Sequence, residues 1–137
     1  MLITALKEYG ITELPGAENH SRILEYMSEA GFDFINEETS WCSIFINWCA
    51  IKAGLQRSGK ATARSWLNVG EIITDPQLGD IVIFWRGHPD SWKGHVGLFI
   101  SRVDDSIYCL GGNQSNQVNI SAYPADRLLG YRRLNSL

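Results

Sequence analysis

The sequence predicts an α+β domain, with N-terminal helices packed on a C-terminal antiparallel sheet of about five strands. Two observations carry this. Apolar residues recur at helical spacing as far as Gly54, and from residue 80 onward they collect in short runs of β-formers divided by Gly, Asp, Asn or Pro. Helices first and a meander of strands afterwards place the helices on one sheet face, because each layer must bury its apolar side against the other. A third observation sets the scale: 137 residues without repeats or a compositional break make one domain, 1–137, long enough to bury a core.

The elements follow in order. Leu2, Ala5, Leu6 and Tyr9 predict a first helix over residues 2 to 9, stopped by Gly10. After a turn with Pro15 and Gly16, Asn19 or Ser21 opens a second helix with Ile23, Leu24, Met27 and Ala30 inward, closed by Gly31. A polar connection, 32 to 40, leads to a third helix over roughly 41 to 53. Cys42, Phe45, Ile46, Cys49 and Ala53 lie on one side of it, and Ile44, Trp48 and Ile51 make the other side apolar too. Ser43, Asn47 and Lys52 leave only a narrow polar strip, so this helix is buried on more than one side and forms the spine of the fold. Residues 55 to 63 have no periodicity and read as a mobile surface loop; a short helical turn over 63 to 69 follows. The strands are centred on Ile81–Trp85, His95–Ile100, Ile107–Leu110, Gln117–Ile120 and Leu129–Arg132.

Composition excludes several classes of function. A chain 45% hydrophobic and 20% charged folds as a soluble globular domain rather than staying disordered. A net charge of −3 argues against nucleic acid as a partner. There is no apolar run of about 18 residues or more, hence no membrane insertion. Met1 to Gly10 carries Lys7 and Glu8 and lacks the apolar core of a secretory signal. The expectation is synthesis in the cytoplasm, with any action outside it dependent on another carrier.

Chemistry centres on cysteine. The three cysteines, Cys42, Cys49 and Cys109, are too few and too irregular for a disulfide framework. Cys42 and Cys49 stand about two turns, roughly 10 Å, apart on one helix, too far for a disulfide, and no zinc-ligand spacing accompanies them. With Thr39 or Ser40 as cap, Cys42 falls in the first helical turn, where backbone N–H groups and the positive end of the dipole favour a thiolate nucleophile. The backbone N–H of Cys42 is then a natural oxyanion donor, and Trp41 a lining of the cleft.

A thiolate needs a base and a group that orients it. Of the three histidines, His20 opens the second helix and His88 lies in a loop. His95 begins an apolar strand within Gly94-His95-Val96-Gly97, a place that suits a structural histidine or a catalytic one. In Leu110-Gly111-Gly112-Asn113-Gln114, at the end of the neighbouring strand, Asn113 or Gln114 is the candidate partner for the imidazole, although the stretch also reads as a plain turn. Trp66, Trp85 and Trp92 are candidates either for stacking on sugars or for ordinary packing. Ser91, Trp92 and Lys93, just before His95, are candidate specificity elements. Asp80 reads as a turn residue, and Cys49 and Cys109 as small buried apolar residues.

Thr39-Ser40-Trp41-Cys42, Gly79-Asp80-Ile81-Val82-Ile83-Phe84, Gly94-His95-Val96-Gly97, Leu110-Gly111-Gly112-Asn113-Gln114 and the closing Leu129-Gly130-Tyr131-Arg132 occur in an order and spacing that resembles the CHAP and NlpC-type papain-like cell-wall hydrolases. The resemblance runs from about Pro15 to Arg132 and is nearest to the small single-domain branch of phage endolysins and bacterial cell-wall-active proteins. It implies a papain-like fold and cysteine-dependent cleavage of an amide in peptidoglycan, by a muramoyl-alanine amidase or a stem-peptide endopeptidase. Cys42 matches the nucleophile, His95 the base and Asn113 the polar third member, alone or helped by Gln114; Trp41, Gln114 and Trp92 are the candidate oxyanion or substrate-binding residues beside them. Many relatives carry Glu two residues before the Asn, where this chain has Gly111. Calcium-binding relatives have an Asp-rich loop near the helix start; here only Glu37 and Glu38 stand there, so no metal and no cofactor is expected. The implied setting is a monomer that acts at the cell wall or periplasm, delivered by a holin or a secretion system and met by an immunity or inhibitor protein. The same triad acting on a different amide, or a wall-binding module with a vestigial triad, is the alternative.

Overall fold

The computed structural model describes residues 1–12, 21–32 and 41–137. Among them three α-helices come first, α1 (Leu2–Leu6), α2 (Ser21–Glu29) and α3 (Cys42–Lys52), then a 3-10 turn (Ala63–Asn68). Six strands follow: β1 (Glu71–Ile73), β2 (Ile81–Trp85), β3 (Gly94–Val103), β4 (Ser106–Gln114), β5 (Gln117–Pro124) and β6 (Leu128–Arg133). They form one antiparallel sheet in the order β1-β6-β2-β3-β4-β5. The α+β class is as expected, with one strand more than the pattern predicts. β1 is only three residues long and sits at the sheet edge on β6, too short to show a period of its own.

α3 is the spine. Every residue from Cys42 to Ala50 is buried, which a helix apolar on all sides requires. Of its predicted polar strip only Lys52, in the last turn, faces solvent. Ser43 and Asn47 are fully buried and hydrogen-bonded: the Ser43 hydroxyl donates to the Lys60 carbonyl at 2.7 Å, and Asn47 Nδ2 donates to the Ser43 and Lys60 carbonyls at 2.9 and 3.1 Å. The Gly59 N–H donates back to Asn47 Oδ1 at 2.9 Å, and the Trp66 indole N–H to the Ser43 hydroxyl at 2.9 Å. The 55–63 stretch is therefore fastened to the helix by its own backbone groups rather than running loose over it. Trp66, a stacking candidate by sequence, is a core residue.

Strand alternation builds two cores. Ile81, Ile83, Val96, Leu98 and Leu110 pack with α3, while Val82, Phe84, Phe99, Ile107, Cys109 and Tyr131 form a second cluster. Two helix expectations are corrected. α1 ends at Leu6, leaving Leu6 and Tyr9 exposed, and in α2 the buried position belongs to Tyr26 while Leu24 is 43% exposed. Tyr26 wins its place by an apolar ring that packs on Phe45 and Trp48 and a hydroxyl that donates to buried Glu8 at 2.8 Å. Asp80 is structural: both carboxylate oxygens accept from Arg133, at 2.9 and 2.7 Å, tying the start of β2 to the end of β6. Among the described residues, no helix is long and apolar enough to cross a membrane. The expected caps Thr39 and Ser40, the opening residue Asn19, the turn at Pro15 and Gly16, and His20, Glu37 and Glu38 lie outside the described residues.

Candidate active site

Cys42 is the first residue of α3, with Trp41 at the N-cap position. A glycine brings this helix start onto β4. A Cβ on Gly112 would come within 2.7 Å of the Trp41 ring and 2.9 Å of Phe45 Cβ, so only glycine admits the close approach. Trp41 itself is buried, its ring stacked near Tyr26 at 6.4 Å and edge-on to Phe45. Its side chain belongs to the core, not to an open cleft.

His95 enters from β3. It pairs with Phe84 of β2 and so shares the sheet face of the second cluster. Its ring stacks on Tyr123 at 4.7 Å and 18°, and Tyr123 stacks in turn on Phe84. His95 Nε2 lies 2.9 Å from Gln114 Oε1.

A one-residue bulge in β4 explains why Gln114 reaches the imidazole. β4 takes three steps from Gly111 to Gln114 (114 − 111) where β5 takes two from Gln117 to Asn119 (119 − 117). The extra residue reverses the alternation, so Gln114 shares a face with Cys109 and Gly111 instead of with Leu110 and Gly112. Asn113 lies within the bulge in left-handed backbone (φ 58°), which asparagine tolerates better than most residues. Gly111 completes the fit. A Cβ there would stand 2.8 Å from Gln114 Oε1 and 3.4 Å from His95 Nε2, so the Gln114 amide occupies the room that a side chain at 111 would use.

The orientation of that amide is settled by its neighbours. Gln114 Nε2 donates to the Asn119 carbonyl at 2.8 Å, to Asn119 Oδ1 at 2.9 Å and to the Cys109 carbonyl at 3.3 Å. Asn119 Nδ2 donates back to the Gln114 carbonyl at 3.1 Å, and the Ser121 hydroxyl donates to Asn119 Oδ1 at 2.8 Å. With Nε2 committed to acceptors, Oε1 is the atom facing His95, and it also accepts from Cys109 Sγ at 3.2 Å. His95 Nε2 must then carry hydrogen.

Electrostatics follow from this enclosure. Burial pushes the His95 imidazolium down, but the charge of Cys42 and hydrogen bonds with Cys109 and Cys42 outweigh it and raise the ring to about 10. Cys49, two turns deeper, differs: burial pushes its thiol well above the usual range, with Glu8 adding to the effect. Cys42 is itself buried, 1% exposed.

The structure thus brings Cys42, His95 and Gln114 together and places Asn113 beside them in the bulge. Trp92 is 70% exposed, in the loop before His95, with Lys93 Nζ 6.0 Å from its ring centroid. Trp85 is half-buried under the Arg127 guanidinium. Two neighbours of the imidazole, Tyr123 and Cys109, and one of the Gln114 amide, Asn119, escape the sequence reading. The available signal is the alternation Asn119-Ser121-Tyr123 along β5, which puts two polar residues and an aromatic on one face.

The model of the CHAP domain family matches residues 35–113, more than half of the 137. The matched segment contains Cys42, His95 and Gly111 and stops one residue before Gln114. No curated protein matches the chain. A crystal structure of an NLP/P60-family protein described as similar to lipoprotein, from Staphylococcus aureus subsp. aureus Mu50, is 21% identical over 90% of this chain, with a TM-score of 0.48. The chain spans 43% of that protein's length. From the family match, the chain belongs to the CHAP domain family, whose members are generally amidase or peptidase hydrolases.

Proposed function

We propose that this protein is a cysteine-dependent peptidoglycan hydrolase in which Cys42 is the nucleophile, His95 the base and Gln114, rather than Asn113, the orienting residue. The observation that carries the reading is the 2.9 Å contact from His95 Nε2 to an amide oxygen whose orientation is fixed from behind. With Nε2 committed to Gln114, Nδ1 is the ring atom that exchanges a proton with the Cys42 thiol.

The reaction then runs as follows. The Cys42 thiolate forms a C–S bond to an amide carbonyl, whose π electrons move to oxygen, and the first N–H groups of α3 stabilise that oxyanion. Collapse expels the amine, which takes the proton from His95. Water, losing its proton to His95, cleaves the thioester and restores the thiol. The wall amide is either the muramoyl–alanine bond or one within the stem peptide, reached at the cell wall after delivery.

Purified cell walls test this, with released fragments read by mass spectrometry. Cys42→Ala and Cys42→Ser are expected to lose release by at least about a thousandfold while keeping the wild-type circular dichroism spectrum. Full activity in the alanine variant overturns the proposal, and the new termini in wild-type digests name the bond.

A further inference from the structure

The loop that joins β2 to β3, residues 86–93, is long for a hairpin connection, which usually takes about two to five residues. It ends one residue before Gly94 and two before His95. Its backbone is held by one side chain from outside it. Arg64 Nε donates to the Lys93 carbonyl at 2.8 Å, Nη1 to the Pro89 carbonyl at 2.7 Å and Nη2 to the His88 carbonyl at 2.9 Å. The loop adds short-range bonds of its own, from the Ser91 N–H to the His88 carbonyl at 3.1 Å and from the Lys93 N–H to the Ser91 hydroxyl at 3.2 Å.

Arg64 stands on a firm base. It follows buried Ala63 in the 3-10 turn whose Trp66 is fully buried and bonded to Ser43 of α3. A Cβ on Gly94 would meet the Arg64 stem at 3.3 Å, so the start of β3 lies directly against it. A planar guanidinium suits this task because its fixed fork reaches several carbonyls at once, where an ammonium is a single point. The loop held in this way presents Trp92, 70% exposed, close in sequence to His95.

We propose that Arg64 is a positioning residue that sets the 86–93 loop so that Trp92 forms a binding wall for the wall fragment beside the Cys42–His95 pair. This rests on the hydrolase reading above. Arg64 touches no reacting atom in this scheme; it acts through Trp92, and its effect falls on binding.

The test uses soluble disaccharide-peptide wall fragments and the full chain. Arg64→Ala and Trp92→Ala are each expected to raise KM about fivefold, the worth of one aromatic contact, with kcat changed less than about twofold. Because both act through one loop, the double variant Arg64→Ala/Trp92→Ala is expected to match either single variant rather than multiply them. Arg64→Lys, which keeps the charge but loses the fork, is expected to fall between wild type and Arg64→Ala. Multiplying effects in the double variant, or a kcat loss at unchanged KM, overturns the proposal. If Arg64→Ala fails to fold, Arg64→Lys carries the same comparison. A wild-type chain that releases no fragments sinks the hydrolase reading; one that releases them while Arg64→Ala leaves KM unchanged sinks the clamp alone.

Discussion

Two buried side-chain amides in this molecule do opposite jobs. Asn47, on α3, gives its amide to the Ser43 and Lys60 carbonyls and takes the Gly59 N–H, so its hydrogen-bonding capacity goes into holding a loop. Gln114, on β4, likewise spends its NH2 on carbonyls, but its oxygen faces His95 and the Cys109 thiol. Both are buried and multiply bonded, as buried polar groups must be. The difference is the partner: backbone groups cannot titrate, and an imidazole can. A closed set of bonds holds structure, and in the proposed reaction one that ends on a titratable ring orients it.

Substitutions can break or sharpen that contrast. The largest effect is expected for Gln114→Ala, which removes the acceptor at His95 Nε2 and frees the ring to turn. Its kcat on wall fragments should fall about a hundredfold with little change in KM, and alkylation of Cys42 should slow alongside. A kcat within a few-fold of wild type would return the third role to Asn113.

The next effect is one of pH. His95 is raised to about 10, so the imidazolium that protonates the leaving amine in the proposed reaction persists to that pH and is lost above it. Activity should therefore fall about tenfold per pH unit above about 10. The sign for stability is the same: a raised pKa contributes fully below the ordinary histidine value near 6.5 and the contribution disappears as pH rises through about 10. In His95→Gln this alkaline limb should vanish from thermal unfolding curves, and an unchanged limb would assign it to another group.

The smallest effect on activity is expected for Asn47→Ala. It removes the acceptor of the Gly59 N–H and one donor to the Lys60 carbonyl, which keeps the Ser43 hydroxyl, and should cost about 2 kcal/mol of stability by denaturant unfolding, with kcat changed less than about twofold. A large kcat loss without loss of stability would place Asn47 in the chemistry and erase the contrast.

The order of the elements, the buried spine around Cys42 and the helix-then-sheet class follow from periodicity alone. Apolar spacing is local, and a helix or a strand of five or more residues records it many times over. His95 is legible too, since a polar residue leading an apolar strand breaks the pattern where it stands. Other features depended on contacts distant in sequence. Ser43 and Asn47 look like a solvated strip until Lys60 and Trp66 meet them, and Trp41 looks like a cleft residue until Gly112 lets it sink into the core. Arg64 shows nothing by itself, because its three partners are carbonyls that every residue has. That the Gln114 amide meets His95 turns on one extra residue in one strand. A bulge exists only relative to its partner strand, so no reading of residues 110 to 114 by themselves could tell which amide would face the imidazole.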